Sequence, residues 1–413
     1  MSSRETAPEP GPLTHATATT PADQSQDRDV LGSDRSAPPR EFSRRECLTC
    51  LASAGLGVCV AGTLGAPALA GINDRRLHGA KYYRRLWGGR TRCMLCPNAC
   101  VRERGQDGQC RARGNRGGVY YSLVYGRPAV LALDEVEKCP LYHFQIGGRT
   151  FSIATAGCNL TCSYCQNWTF SQVGPDEAPK SYELTPKEVV DKAVENEAAA
   201  VAFFYTEPTV YYEYMLDIAK LARRRRLKTV MVTAGYIEPE PLKELLPHID
   251  AVTLGLKGWD EAFYRETIGG ELKYVKRTIE MLARQDGVWW EVVNLIVPSL
   301  NDKAEDIAAM AAWLYETAGP ERPLHFTRFR PEYRLKRLPI TPAASLTAAR
   351  EAAMAAGIKY VYVGNLPGHE GANTYCPSCG KLLVERLGFK IVDNQVLNGK
   401  CRFCDRRIGG VWI

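Results

Sequence analysis

The sequence lacks a dominant charge sign. Its 53 Lys and Arg and 46 Asp and Glu leave a formal net charge of +7 over 413 residues. The densest basic run, Arg223 to Arg226, falls inside a helical pattern and reads as a solvated helix face rather than a nucleic-acid patch. Long apolar runs are missing as well. The uncharged stretch from Leu51 to about Leu64 is too short to span a bilayer as a stable helix, so no transmembrane segment is expected in the mature chain. Residues 1–42 have almost no large apolar side chains and cannot offset the entropy of ordering, which marks them as a disordered tail. What remains, 45% hydrophobic overall, is the composition of a globular protein.

Against these absences stands an excess of cysteine, 15 residues gathered in groups. Cys93, Cys96, Cys100 and Cys110 form one, Cys158, Cys162 and Cys165 a second, and Cys376, Cys379, Cys401 and Cys404 a third. Thiols two or three residues apart can reach one metal centre from a single turn, whereas structural disulfides usually join distant segments, so these groups read as metal sites. Cys47, Cys50, Cys59 and Cys139 stand apart and receive no role. Between the tail and the first group, Ser43-Arg44-Arg45-Glu46-Cys47-Leu48, a moderate apolar run and Ala68-Leu69-Ala70 have the form of a twin-arginine export signal over residues 43–70.

From residue 150 short apolar strands alternate with amphipathic helices. Strands are expected at 150–155, 200–205, 229–233, 251–256, 289–297, 324–329 and 360–363, and helices at 186–196, 210–223, 239–246, 272–284, 303–317 and 342–356. This α/β pattern implies a parallel sheet with right-handed crossovers, an open or partial (β/α) barrel over residues 150–370. Cysteine-rich appendages flank it at 71–149 and 371–413. Ligand chemistry in such barrels sits at the C-terminal strand ends.

Cys158-Asn159-Leu160-Thr161-Cys162-Ser163-Tyr164-Cys165 follows the first of these strands. Three thiolates at C-x3-C-x2-C can hold three corners of a 4Fe-4S cubane and leave one iron open. An open iron can bind the amino and carboxylate groups of S-adenosylmethionine (SAM) and deliver an electron to its sulfonium, giving a hydrogen-abstracting radical that no side chain can supply. Tyr164 could pack against the adenine. A zinc site with a distant fourth ligand is the competing reading of the spacing, although structural zinc favours paired C-x-x-C knuckles.

With these residues the chain resembles the radical SAM superfamily, and within it the pyruvate formate-lyase activating-enzyme-like branch known as the AmmeMemoRadiSam system radical SAM enzyme. The resemblance runs from Cys93 to Ile413. It rests on Cys93-Met94-Leu95-Cys96-Pro97, Tyr125-Gly126-Arg127-Pro128, Pro140-Leu141-Tyr142-His143-Phe144, Gly157-Cys158-Asn159-Leu160, Cys165-Gln166-Asn167-Trp168, Tyr205-Thr206-Glu207-Pro208, Val361-Tyr362-Val363-Gly364-Asn365 and the final cysteine pairs. It implies that Glu207 receives the SAM amino group, a charge-assisted acceptor for an ammonium, and that Lys257 meets the SAM carboxylate or ribose. Related enzymes often carry an acidic residue two positions before that lysine, where this chain has Gly255. It also implies an electron donor and Memo-like and AMMECR-like partner proteins.

Asn294, Asn301 and Asp302 are further pocket candidates or turn residues, and His325 and Arg330 are candidates for a substrate pocket. His143 and His369 also sit in family-like blocks. Cys376-x2-Cys379 and Cys401-x2-Cys404 have zinc-ribbon spacing, with a second iron–sulfur cluster as the alternative. For Cys93, Cys96, Cys100 and Cys110, zinc and an auxiliary cluster are both open. Two other functions compete with a SAM-cleaving enzyme, a non-catalytic metal scaffold and an electron-transfer protein, and both require a fourth protein ligand at the central cluster. The export signal points outside the cytoplasm, while dependence on SAM points inside it.

Overall fold

The computed structural model describes residues 77–412. The tail at 1–42 and the twin-arginine-type segment at 43–70 lie outside the described residues. Eight strands make the central sheet: β1 (Pro128–Glu135), β2 (Arg149–Thr155), β3 (Ala200–Phe203), β4 (Lys228–Thr233), β5 (Ala251–Gly255), β6 (Trp289–Ile296), β7 (Leu324–Arg328) and β8 (Val361–Gly364). They lie side by side in chain order. β2 to β8 are parallel, and β1 pairs antiparallel with β2 at the edge.

One helix of seven residues or more separates each parallel pair: α1 (Pro186–Glu195), α2 (Tyr212–Arg224), α3 (Pro239–Leu245), α4 (Leu272–Ala283), α5 (Ala304–Ala318) and α6 (Ala343–Ala355). Strands covered by helices need apolar residues in unbroken runs, and Ala200–Phe203 is buried at every position. The helices instead bury one stripe, Val189, Val190 and Ala193 in α1. That helix starts where its sequence dictates: Thr185 and Glu188 form a reciprocal capping box and Pro186 takes the first turn, where its missing N–H costs nothing.

All seven expected strands and all six expected helices are present, with ends shifted by a residue or two, as an open α/β barrel sheet. Strand β1 is an addition. Because it pairs with β2 along its whole length, the boundary expected at residue 150 falls inside an antiparallel strand pair.

The two cysteine-rich regions form small antiparallel sheets. Near the N-terminal side, Tyr83–Arg85, Thr91–Cys93 and Val101–Arg102 make one, and His78–Gly79, Val119–Ser122 and Arg113–Arg116 another. An ion pair with both members buried, Arg113 Nη1 to Glu213 Oε2 at 2.8 Å, ties the second of these to α2. At the other side, Thr374–Tyr375, Leu382–Leu387 and Lys390–Asn394 form a sheet beside the hairpin of Val396–Leu397 and Lys400–Cys401. Among the described residues no helix is long and apolar enough to cross a membrane.

Candidate active site and metal centres

Strand β2 delivers the chain to Gly157. This residue has a φ of +92°, and a Cβ there would stand 2.3 Å from the Cys110 carbonyl oxygen, so glycine alone fits. Cys158, Cys162 and Cys165 follow on a loop held from three sides. Thr161 N donates to Ile268 O and Ser163 N to Thr267 O, both at 2.9 Å, and Arg334 N donates to Ser163 O at 3.0 Å. Asn159 Nδ2 donates to Tyr236 O at 2.7 Å. These partners follow β4, β5 and β7, so the loop lies over the C-terminal strand ends, the chemical end of such a sheet.

A cation and an anion flank the three thiols. Burial, then the Glu207 carboxylate, pushes the Cys158 thiol well above its ordinary range. Burial also pushes Cys162 up to about 11, with the Lys257 ammonium drawing it back. Thiols held neutral by burial next to a lysine are what a metal would convert to thiolates, and three of them fit a cluster's corners.

Glu207 comes at the end of β3 and is buried. Its Oε1 accepts from Thr209 N at 3.1 Å, Thr209 Oγ1 at 2.6 Å and Thr233 Oγ1 at 2.7 Å, and its Oε2 accepts from Ala234 N at 2.8 Å. The carboxylate thus knits the ends of β3 and β4, with spare acceptor capacity on Oε2. Lys257 follows β5. Its backbone N–H donates to Tyr264 Oη at 3.0 Å and its carbonyl accepts from Asn301 Nδ2 at 2.7 Å, while its ammonium has no hydrogen-bond acceptor among the described residues. Tyr164 is buried and stacks on Phe263, ring centroids 6.5 Å apart, and its hydroxyl has no partner among the described residues.

Asn301 also accepts from Val297 N at 2.6 Å, and Asp302 accepts from Ser299 N at 2.9 Å, so both carry the turn after β6. Asn294 is buried and donates to Leu256 O at 2.7 Å.

Beside the loop opens a cavity of about 280 Å³, lined among others by Tyr142, Gln166, Arg328, Arg330, Asn365 and Phe389. Gln166 directly follows Cys165, so cavity and cysteine loop are neighbours. Arg330 lines it and His325 does not. His325 lies behind Tyr142, its ring edge-on at 4.7 Å, and its Nε2 is 2.6 Å from Glu291 Oε2. His143 is likewise structural, bridging Gly409 O and Tyr362 Oη at 2.6 Å each. His369 caps the short 3-10 helix Glu370–Ala372.

Glu291 is the residue that the sequence did not reveal. It is fully buried on β6 and accepts from Tyr142 N, His143 N, Trp289 Nε1 and His325, fixing the wall behind the cavity. A charge inside an apolar strand was the available signal.

The C-terminal cysteines converge. Their four sulfurs lie within 4.8 Å of one another, with Cys376 to Cys404 at 3.6 Å and Cys379 to Cys401 at 3.7 Å. Against the opposing effect of burial, the backbone N–H groups of Cys379 and Ser378 bring Cys376 down to about 7. Metal–sulfur bonds of ~2.3 Å in a tetrahedron place sulfurs at about this separation, so the set fits zinc. Cys93, Cys96, Cys100 and Cys110 also face one another, around a small hollow.

The radical SAM superfamily model matches residues 152–314, a span that opens in β2 and contains the three-cysteine loop. A protein of Methanocaldococcus jannaschii, uncharacterized protein MJ0808, is 44% identical over 331 residues, which is 80% of this chain and 98% of that protein. The chain belongs to the radical SAM superfamily. Membership implies a 4Fe-4S cluster and SAM as cofactors, and the C-terminal four-cysteine cluster indicates a second metal site. The pyruvate formate-lyase-activating enzyme of Clostridium pasteurianum is 31% identical over 162 residues, 38% of this chain and 65% of that enzyme. Among solved structures, a domain of the pyruvate-formate lyase-activating enzyme of Bacteroides vulgatus aligns with a TM-score of 0.37 and 14% identity, covering 41% of this chain and all of that domain. The sequence match to the Clostridium pasteurianum enzyme relates this radical SAM enzyme to glycyl-radical activating enzymes.

Proposed function

We propose that this radical SAM enzyme reductively cleaves SAM at a cluster held by Cys158, Cys162 and Cys165 and takes hydrogen from a substrate in the cavity beside them. One observation carries the reading: this loop offers three thiols and no more. The other described cysteines belong to the N- and C-terminal sets or, for Cys139, to a separate core cluster. That argues against the scaffold and electron-transfer alternatives, which need a fourth ligand. When bound, cluster and SAM supply a 5′-deoxyadenosyl radical, the hydrogen-abstracting species.

The chain's own residues bind and orient. Lys257, whose ammonium has no partner among the described residues, receives the SAM carboxylate. Glu207 holds the strand ends together and turns its remaining acceptor capacity toward the SAM ammonium. Tyr164 braces the loop from below through Phe263. Arg330, Gln166 and Tyr142 position the substrate, and the buried wall behind Tyr142 is fixed by Glu291 and His325.

The activating-enzyme relatives support a protein substrate, with a backbone glycine as the hydrogen donor. The sequence blocks of the AmmeMemoRadiSam type support Memo-like and AMMECR-like proteins as partners. The test is anaerobic cluster reconstitution followed by dithionite and SAM, with 5′-deoxyadenosine as the readout. Formation by the wild type and loss in Cys162→Ala is the expected result. No 5′-deoxyadenosine from a fully loaded wild-type protein would refute the proposal.

A further inference from the structure

We infer that Cys93, Cys96, Cys100 and Cys110 hold a second 4Fe-4S cluster, placed to exchange electrons with the one at Cys158, Cys162 and Cys165. Only the identity of the electron partner rests on the proposed function; the site itself stands on its own geometry.

The two outer cysteine sets differ in spacing. At the C-terminal set the sulfurs nearly touch, at 3.6 and 3.7 Å across the site. It is, among the described residues, the group of three or more metal-ligating side chains whose donor atoms all fall within 4.8 Å of one another. At the N-terminal set no three sulfurs come within that distance, yet all four cysteines line one hollow, shared with Leu95, Arg113 and Asn159. A tetrahedron with metal–sulfur bonds of ~2.3 Å holds its sulfurs at the spacing of the C-terminal set. A cubane sets four irons and four sulfides between its thiolates and needs the wider frame.

One buried polar group on the lining supports the same ligand. Arg113 is 1% exposed, and its Nη atoms are used by Glu213 and by Lys81 O, yet its Nε has no acceptor among the described residues. A buried guanidinium N–H without an acceptor is costly, and cluster sulfides and thiolates are acceptors.

The position gives the site its role. Asn159, which lines the hollow, directly follows Cys158, and Asn98 Nδ2 donates to its carbonyl at 2.7 Å. On the other side of Cys158, Gly157 abuts the Cys110 carbonyl. One loop therefore backs onto both centres. A low-potential one-electron carrier of the ferredoxin class gives up one electron to the N-terminal cluster. That electron passes to the central cluster, and the N-terminal one returns to its oxidised state.

The test uses the full chain, reconstituted anaerobically, with Cys158→Ala, Cys162→Ala and Cys165→Ala combined to remove the central site. About four irons and one zinc per chain should remain, with the electron paramagnetic resonance signal of a reduced 4Fe-4S cluster after dithionite. Two zincs and no iron in this variant would overturn the assignment. In the wild type, the spectrum of both reduced clusters should show spin–spin broadening that the triple variant lacks. A wild-type spectrum equal to the sum of two isolated clusters would overturn the electron exchange. Failure of the wild type to cleave SAM would defeat the proposed function and leave these iron counts standing.

Discussion

Replacing Glu291 by Gln tests whether one buried carboxylate holds the wall of the cavity. Two donors face Oε1, His143 N at 2.8 Å and Trp289 Nε1 at 2.9 Å; two groups face Oε2, Tyr142 N at 3.0 Å and His325 Nε2 at 2.6 Å. Gln supplies one oxygen and one NH2. Its better orientation keeps the oxygen toward His143 and Trp289 and lets His325 accept by changing tautomer, but it leaves the Tyr142 N–H facing another donor. One buried unsatisfied donor plus the loss of charge-assisted bonds costs about 2–4 kcal/mol. The titration of the carboxyl gives a second route to the magnitude. Burial opposes its ionisation, yet the His325 hydrogen bond and charge hold it at about 2 against an ordinary 4.5. That gap of about 2.5 units, at ~1.36 kcal/mol each, is about 3 kcal/mol.

Because the folded value lies below the unfolded one, this stabilisation is complete above pH 4.5 and is lost as pH falls toward 2. Urea unfolding followed by far-UV circular dichroism should show the variant less stable by about 3 kcal/mol at pH 7 and by only about 1 kcal/mol at pH 3. Equal stability at pH 7, or a gap that does not narrow in acid, would refute the reasoning.

Two further changes probe the cysteine loop. Lys257→Met keeps the length of the side chain and removes its charge, so SAM affinity measured by equilibrium dialysis should fall roughly tenfold or more while iron content is unchanged, in keeping with about 1.5–3 kcal/mol for a charged hydrogen bond; undiminished binding would remove Lys257 from the site. Gly157→Ala places a methyl against the Cys110 carbonyl and strains a positive φ, so reconstituted iron should drop at the central loop. Wild-type iron content in that variant would show that the turn tolerates a side chain.

The parallel strands were legible because helix-covered strands must be apolar along their length and each is followed by a helical stripe. Strand β1 escaped because it reaches β2 through a largely irregular connection, Val136 to Gly148, whose only helical piece is the three-residue 3-10 turn Val136–Lys138 and which has no α-helix to complete the alternation. The cysteine groups were legible as local spacing. What lay beyond the sequence was partnership over distance. Glu291 looks like a solvent-facing position in a strand, and its partners Tyr142 and His143 are almost 150 residues earlier. Glu207 was readable as an acid at a strand end, but its bonds to Thr233 and Ala234 need the register of β3 on β4. His325 and Arg330 looked equivalent in sequence; His325 lies within β7 and is buried, whereas Arg330 lies two residues beyond the strand's end and lines the cavity.

The loop between β1 and β2 is stitched to residues near the far end of the chain: Gln145 N donates to Val411 O, Val411 N donates to His143 O, and His143 Nδ1 meets Gly409 O across 266 residues. During synthesis at ~5–20 residues per second, that loop waits roughly 10 to 50 seconds for its partner to be made. Throughout that delay Tyr142 and His143 lack the partners that hold them in the folded chain. Assembly of the substrate side thus waits for Gly409 and Val411 to be made, whereas the cysteine loop has all its cluster ligands as soon as Cys165 has emerged.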